Sequence, residues 1–384
     1  MTRNNPLIFI YLLAFFLTLH VAVPVYITSS FLGTLVNPER VGLIYAFASL
    51  ASITSLYFIP RVLKILGDFR ATLIFLALEV AVFFGLALLK DPLLLIILFI
   101  ASYVLLYLIS FDLDLIVESF TKNNATGSVR GIYFTSANVA WVLSPILAAG
   151  ILTGNDYWKV FLAAAILLIP ALLIFARKLE HFKDPRYRAA PFLKTMRTVW
   201  RQRDIRNIFL VSFVLQFFFT WMVIYTPLYL HQNLGFSWGD IGIILSIMLV
   251  PFLVIEGPLG RLADKVLGEK ELLVVGVVIM AATTALMSFV TGTSFMMWTA
   301  LLFMTRVGAA MIEIMCETYF FKKIGSGDAD IISLNRSVRP FAGIVAPLLA
   351  TVLLPFIPLQ YLFVILGGIV LLGLYPVLAL RDTR

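Results

Sequence analysis

Charge is what this sequence has least of. Only 13% of its 384 residues are Asp, Glu, Lys or Arg, whereas 61% are apolar and the mean hydropathy is +1.00. A soluble domain carries about a quarter charged and about half apolar residues, so this balance points to lipid as the solvent. Cysteine is almost missing too. Cys316 stands alone, which excludes an intramolecular disulfide, and no Cys/His cluster of metal-binding type exists. The three histidines, His20, His181 and His231, lie far apart in the chain and suggest no shared site. Gly325-Ser326-Gly327 lacks both the strand-to-helix setting and the Lys-Ser/Thr of a phosphate-binding loop. No metal or cofactor is therefore expected. A membrane-embedded enzyme is disfavoured, because no His/Asp or metal constellation stands at an interface.

What is present is a series of long apolar runs. A helix crossing a hydrocarbon core about 30 Å thick needs roughly 20 such residues. Twelve spans are expected, at about 6–31, 40–60, 71–90, 93–119, 131–153, 157–177, 206–231, 237–259, 271–291, 295–321, 331–355 and 359–380. The run from Pro6 is too long for the core of a signal peptide and is read as the first span. Internal prolines such as Pro24, Pro145, Pro227, Pro251 and Pro347 do not veto membrane helices, where neighbouring groups satisfy the freed backbone.

Lys and Arg fix the expected orientation. With a cytoplasmic N-terminus, the exterior connections hold only Arg40, Lys90 and Lys159. Both termini are then cytoplasmic in a multi-pass protein of the cytoplasmic (inner) membrane. The net charge of +8 is a topology signal, dispersed beside the spans, and not a nucleic-acid surface. The densest basic stretch, Arg177 to Arg206, reads as a linker on the cytoplasmic surface, with anionic-lipid or phosphate binding as the alternative. The expected organisation is a six-helix half over 1–178, a linker over 179–205 and a second six-helix half over 206–384.

The two halves repeat each other. Phe15-Phe16-Leu17-Thr18, Pro24, Tyr26 and Leu32-Gly33 recur as Phe217-Phe218-Phe219-Thr220, Pro227, Tyr229 and Leu234-Gly235, offset by 202 or 203 residues. Arg61 and Lys64-Ile65-Leu66-Gly67-Asp68 recur as Arg261 and Lys265-Val266-Leu267-Gly268-Glu269. Asp114 and Glu118 parallel Glu313 and Glu317, and Ser144-Pro145 parallels Ala346-Pro347. Ordered matches at nearly constant spacing argue for duplication.

The stretch from Gly260 to Lys270, GRLADKVLGEK, resembles the signature loop of the major facilitator superfamily, with one extra residue before the second glycine. A short loop between two membrane helices favours Gly at tight turns, and an acid there can face a helix N-terminus. The resemblance implies an all-α membrane fold of twelve helices in two pseudo-symmetric six-helix bundles, acting as a monomer. It also implies a cytoplasmic gate built from Gly260, Asp264, Lys265 and Gly268, with Asp264 set against the start of the fifth span near Arg130. The N-terminal copy keeps Lys64, Gly67 and Asp68 but has no acid at the Asp264 position. Asn138 to Gly150 more weakly resembles the helix-5 motif of drug:proton antiporters, with Ser144, Ala148 and Ala149 where glycines would stand.

Ionisable groups inside spans are costly and are functional candidates by default. Arg306, Glu313 and Glu317 share one face of the tenth span. Tyr103, Tyr107, Ser110, Asp114 and Glu118 share a face of the fourth, with Asp112 turned elsewhere. The resemblance places both stripes beside the substrate path. In one reading Arg306 binds an anionic group or balances a proton-carrying carboxylate, with Glu313 or Asp114 exchanging protons. In the other the acids pair with Arg130, Arg336 and Arg339 and hold helices together, which suits Glu118 and Glu317 near the surface. His20, Asn138, Gln216, Trp221 and Tyr225 are lesser candidates for the site, His20 as a proton carrier or as an interhelical hydrogen-bonding group. Glu79, midway along the third span, has no role that the sequence assigns.

The expected function is secondary transport of a small solute by alternating access, coupled to protons, with aromatic content and the helix-5 resemblance leaning toward export of amphipathic compounds. Uptake of a sugar, amino acid or organic acid by symport, or a transporter-shaped sensor or scaffold, are the alternatives.

Overall fold

The computed structural model describes residues 6–120, 126–178, 192–255, 258–259, 268–324, 331, 334–335 and 337–381. Among the described residues every regular element is helical. The chain divides into two compact units, Met1–Ala189 and Ala190–Arg384.

The first unit contains α1 (Pro6–Leu35), α2 (Pro38–Leu66), α3 (Asp68–Leu88), α4 (Pro92–Phe120), α5 (Thr126–Ile151) and α6 (Tyr157–Lys178). The second contains α7 (Phe192–Arg201), α8 (Arg203–Leu228) continued by a π-helical turn (Tyr229–Asn233), and α9 (Trp238–Val254). After these come α10 (Glu269–Leu286), α11 (Phe295–Lys323), α12 (Val338–Leu353), α13 (Tyr361–Leu372) and α14 (Leu374–Leu378). Nine described helices are long and apolar enough to cross a membrane, and three shorter apolar helices, Thr135–Ile151, Trp238–Val254 and Val338–Leu353, fall where the remaining spans are expected.

Local chemistry explains where these helices start and bend. Gly67 adopts φ 75°, a conformation open to glycine, and its N–H closes on the Leu63 carbonyl at 2.8 Å. Helix α3 therefore begins at Asp68, earlier than the expected 71. Ser237 caps α9 by accepting the Asp240 N–H, while its hydroxyl donates to the Asp240 carboxylate at 2.6 Å. Pro145 removes the N–H that would bond the Trp141 carbonyl, and the Ser144 hydroxyl donates to that same carbonyl at 2.9 Å. The Ser-Pro pair is thus a self-repairing bend. Helix α7 lies within the stretch expected as linker; Thr195 and Val199 are its buried residues, and Met196, Arg197, Trp200 and Arg201 are exposed.

Within the first unit α1 packs on α5 and α6, α3 on α4 and α6, and α2 on α4. Within the second, α8 packs on α12 and α13, α10 on α11 and α13, and α9 on α11. Numbered by span, these are the same five pairings in each unit. The repeat in the sequence is therefore also a repeat in neighbour order. Helices α10 and α11 meet at glycine: a Cβ on Gly308 would lie 2.7 Å from the Gly276 carbonyl oxygen and from the Met280 nitrogen. Small residues at such crossings let backbones approach where no hydrophobic force drives association.

Candidate functional site

Among the described residues each unit buries ionisable side chains. In the first, α1 supplies His20, α3 Glu79, α4 Ser102 and α6 the Ala164 carbonyl. His20 and Glu79 are each 1% exposed. His20 Nδ1 lies 2.9 Å from the Ala164 oxygen, and Nε2 lies 3.4 Å from Glu79 Oε1. The Ser102 hydroxyl donates to that same Oε1 at 2.7 Å. Phe83 sits edge-on to the imidazole at 4.3 Å. Four helices converge here because α3 and α6 pack against each other and against α4 and α1 respectively. Pro24, one turn along α1, also removes the N–H that would bond the His20 carbonyl.

A second polar contact lies nearer the start of α3 and the end of α4. Thr72 donates to Asp112 Oδ2 at 3.0 Å, and Asp112 is fully buried. This is the acid expected to point away from the stripe on the fourth span, and it points into the α3–α4 seam. On the stripe itself Tyr103 and Tyr107 are half-buried with ring centroids 5.6 Å apart, and Tyr103 also meets Tyr45 and Phe99. Asn138 is half-buried on α5. Asp68 is buried at the first turn of α3, where the helix dipole favours an acid, whereas Lys64 is exposed. The side chains of Asp114, Glu118 and Arg130 lie outside the described residues, so their expected roles remain proposals.

In the second unit Arg306 is 1% exposed on α11, with its guanidinium 5.1 and 5.4 Å from the ring centres of Phe218 and Phe219 on α8. Within about 6 Å of an aromatic face a cation is attracted by the ring quadrupole. In the sequence repeat Phe218 aligns with Phe16 and Phe219 with Leu17, so the second ring has no aromatic counterpart at that position. Exposure rises along the charged face of α11, from Arg306 through half-buried Glu313 to exposed Glu317. On α8, Tyr225 is buried and Gln216 half-buried, while Trp221 donates its indole N–H to the Ala346 carbonyl. Arg339 is exposed; Gly260, Asp264, Lys265 and Arg336 lie outside the described residues.

The described part of the signature-like loop is its end. Gly268 is buried with φ −72°, a conformation that any residue adopts, unlike Gly67 in the first half. Glu269, 1% exposed, pairs with Lys322 of α11. Lys323 pairs with Asp204 at 3.2 Å, Tyr319 donates to the Arg381 carbonyl at 2.9 Å, and Lys270 donates to the Leu380 carbonyl at 3.1 Å. These contacts tie the starts of α8 and α10 to the end of α11 and to the last described residues. Sequence reading assigned no role to Ser102, Thr72, Asp204 or Lys322, each an ordinary polar residue whose partner is far away in the chain.

The family model described as Major Facilitator Superfamily matches residues 113–329 and 208–384, together well over half the chain. A point mutant of the nucleoside transporter NupG is similar in structure, with TM-score 0.78 and 14% sequence identity, over 98% of this chain and 99% of that one. A POT family transporter in complex with a thioalcohol conjugated peptide is similar at TM-score 0.78 and 14% identity, over 97% of this chain and 95% of that one. No curated protein matches by sequence. The apolar helices, the repeated packing order and the family match lead to one conclusion: this is a multi-pass membrane transporter, not an enzyme, and it belongs to the major facilitator superfamily.

Proposed function

We propose that the chain carries a small solute by alternating access between its two halves, driven by a proton gradient, with export of amphipathic compounds as the favoured direction. In this reading it works as a monomer in the cytoplasmic membrane with both termini in the cytoplasm. The observation that carries it is Arg306. A guanidinium at 1% exposure between two phenylalanine rings is costly at membrane depth, and such groups are retained where they bind a charge or balance one. Arg306 holds an anionic group of the solute or offsets a carboxylate that changes charge, and half-buried Glu313 two turns along the same helix is the partner for the second role. Aromatic side chains around Arg306 suit a solute with an apolar body and a polar handle.

The gate proposed at Asp264, Lys265, Gly260, Arg130 and Arg336 rests on the loop's resemblance. Lys322 on Glu269 and Lys323 on Asp204 support it by fixing the helix ends beside that loop.

The test is proton flux into proteoliposomes loaded with a pH dye while a panel of solutes is added outside. A solute-dependent pH change that disappears in Arg306→Ala and Glu313→Gln is the expected result. A flat trace with every solute, in protein that still binds one of them, would replace the coupled transporter with a sensor or scaffold.

A further inference from the structure

The hydrogen bonds around His20 constrain how many protons its site can hold. The Ala164 carbonyl oxygen can only accept, so the Nδ1 atom 2.9 Å away carries a hydrogen. In a neutral imidazole Nε2 is then a bare lone pair. It lies 3.4 Å from Glu79 Oε1. A carboxylate oxygen is also acceptor-only, so with no further proton two lone pairs would face each other in a dry bundle interior. One proton between them removes the conflict, whether it sits on the carboxyl or on the imidazole. Either way the pair is neutral overall. Glu79 Oε2 has no hydrogen-bond partner and is buried, as expected of a carboxyl whose charge is not fully compensated by donors.

We infer that His20 and Glu79 together form a binding site for one exchangeable proton in the N-terminal half, with Ser102 as the donor that receives the carboxylate when the proton leaves. Losing that proton leaves a net negative charge held by one hydroxyl, the 2.7 Å bond from Ser102 to Oε1. The walls of the site are otherwise apolar: Phe83 lies against the imidazole, and Phe161 of α6 packs on Phe83 at 6.1 Å. Helix α1 has no charged residue besides His20. On the elements packed around the pair the other charged residues stand toward the ends. Asp68 and Arg70 open α3, Asp112, Asp114 and Glu118 close α4, and Lys159, Arg177 and Lys178 flank α6. Asp68 is eleven residues from Glu79, or about 16 Å at 1.5 Å per residue. Among the described residues no other charged side chain pairs with His20 or Glu79, which leaves the proton exchangeable. As the carrier of the driving proton, the site rests on the coupled reading proposed above; as a proton-binding site, it does not.

The experiment is a pH titration of the purified full chain in lipid nanodiscs, followed by infrared bands of the carboxyl and imidazole groups, without any solute. Relative to Glu79→Gln, wild type should show one additional proton lost in a single step. His20→Asn, which keeps a donor for Ala164 and deletes Nε2, should lose the imidazole component. Superimposable titrations of wild type and Glu79→Gln would overturn the site and leave a permanent clamp between four helices. If Glu79→Gln fails to fold, Ser102→Ala decides: it removes only the donor to Oε1, so the step should persist with its midpoint moved to more alkaline pH. An unmoved midpoint would overturn the role of Ser102 as the donor that receives the carboxylate. Solute-driven proton flux together with superimposable titrations would keep the coupled reading and remove this site from it. A titrating pair without any solute-driven flux would keep the site and remove the coupling.

Discussion

Replacing Gly308 by Ala tests the close crossing of α10 and α11. The added methyl would lie 2.7 Å from two backbone atoms of α10, against ordinary contact from 3.4 Å, and backbone cannot swing aside as a side chain can. Helix α10 must retreat by several tenths of an ångström or α11 must rotate, and overpacking of this kind costs about 1–3 kcal/mol. Alanine's better helix propensity returns about 0.5–1 kcal/mol, so a net loss of up to about 2.5 kcal/mol is expected. Gly368 on α13 is the control, because a Cβ there meets nothing within 4 Å. Gly368→Ala should gain about 0.5–1 kcal/mol from the same propensity. The lone cysteine provides a local readout. Cys316 is buried on α11 two turns beyond Gly308, so its alkylation by a thiol dye during a thermal ramp reports the opening of this helix. Gly308→Ala should lower the midpoint of labelling and Gly368→Ala should raise it. An equal or higher midpoint for Gly308→Ala would refute the close backbone crossing of α10 and α11.

Two further outcomes follow from buried polar contacts. Thr72→Val strands the Asp112 carboxylate and should cost about 1–3 kcal/mol, whereas Thr72→Val with Asp112→Leu should recover most of it; thermal unfolding of the four proteins checks this as a double-mutant cycle. Lys322→Ala should lower the unfolding midpoint more than Lys323→Ala, since Lys322 serves the buried Glu269 while Asp204 keeps partial contact with solvent. Equal effects on the same thermal ramp would show that burial of the acid does not decide the strength of these pairs.

The likeness of the two units bears on how the acids can be used. The same neighbour order recurs in both, yet the buried ionisable groups do not coincide: the first unit buries His20 with Glu79 between α1 and α3, the second buries Arg306 between α11 and α8. Duplication supplied one scaffold, and different side chains at different depths gave each half its own charge. A proton site in one half and a fixed cation in the other is the division of labour that the proposals above would exploit.

The membrane class, the positions of the nine described long apolar helices, the internal repeat and the family were legible in the linear sequence, because each depends on composition or on spacing along one chain. Hydrocarbon demands long apolar runs whatever those runs pack against. Faces were legible too: helical spacing set Asp112 apart from Tyr103 and Tyr107. What a face meets was not. Glu79 had no assigned role in the sequence because its partners, His20 and Ser102, lie 59 and 23 residues away on other helices. Only the packing of α3 against α4 and α6, and of α6 against α1, brings them within bonding distance. The same holds for Thr72 with Asp112 and for Lys322 with Glu269. A helix's periodicity fixes the direction of a side chain about its own axis, but the identity of the neighbouring helix and its offset along that axis are set by how whole surfaces fit, which is a property of the folded chain.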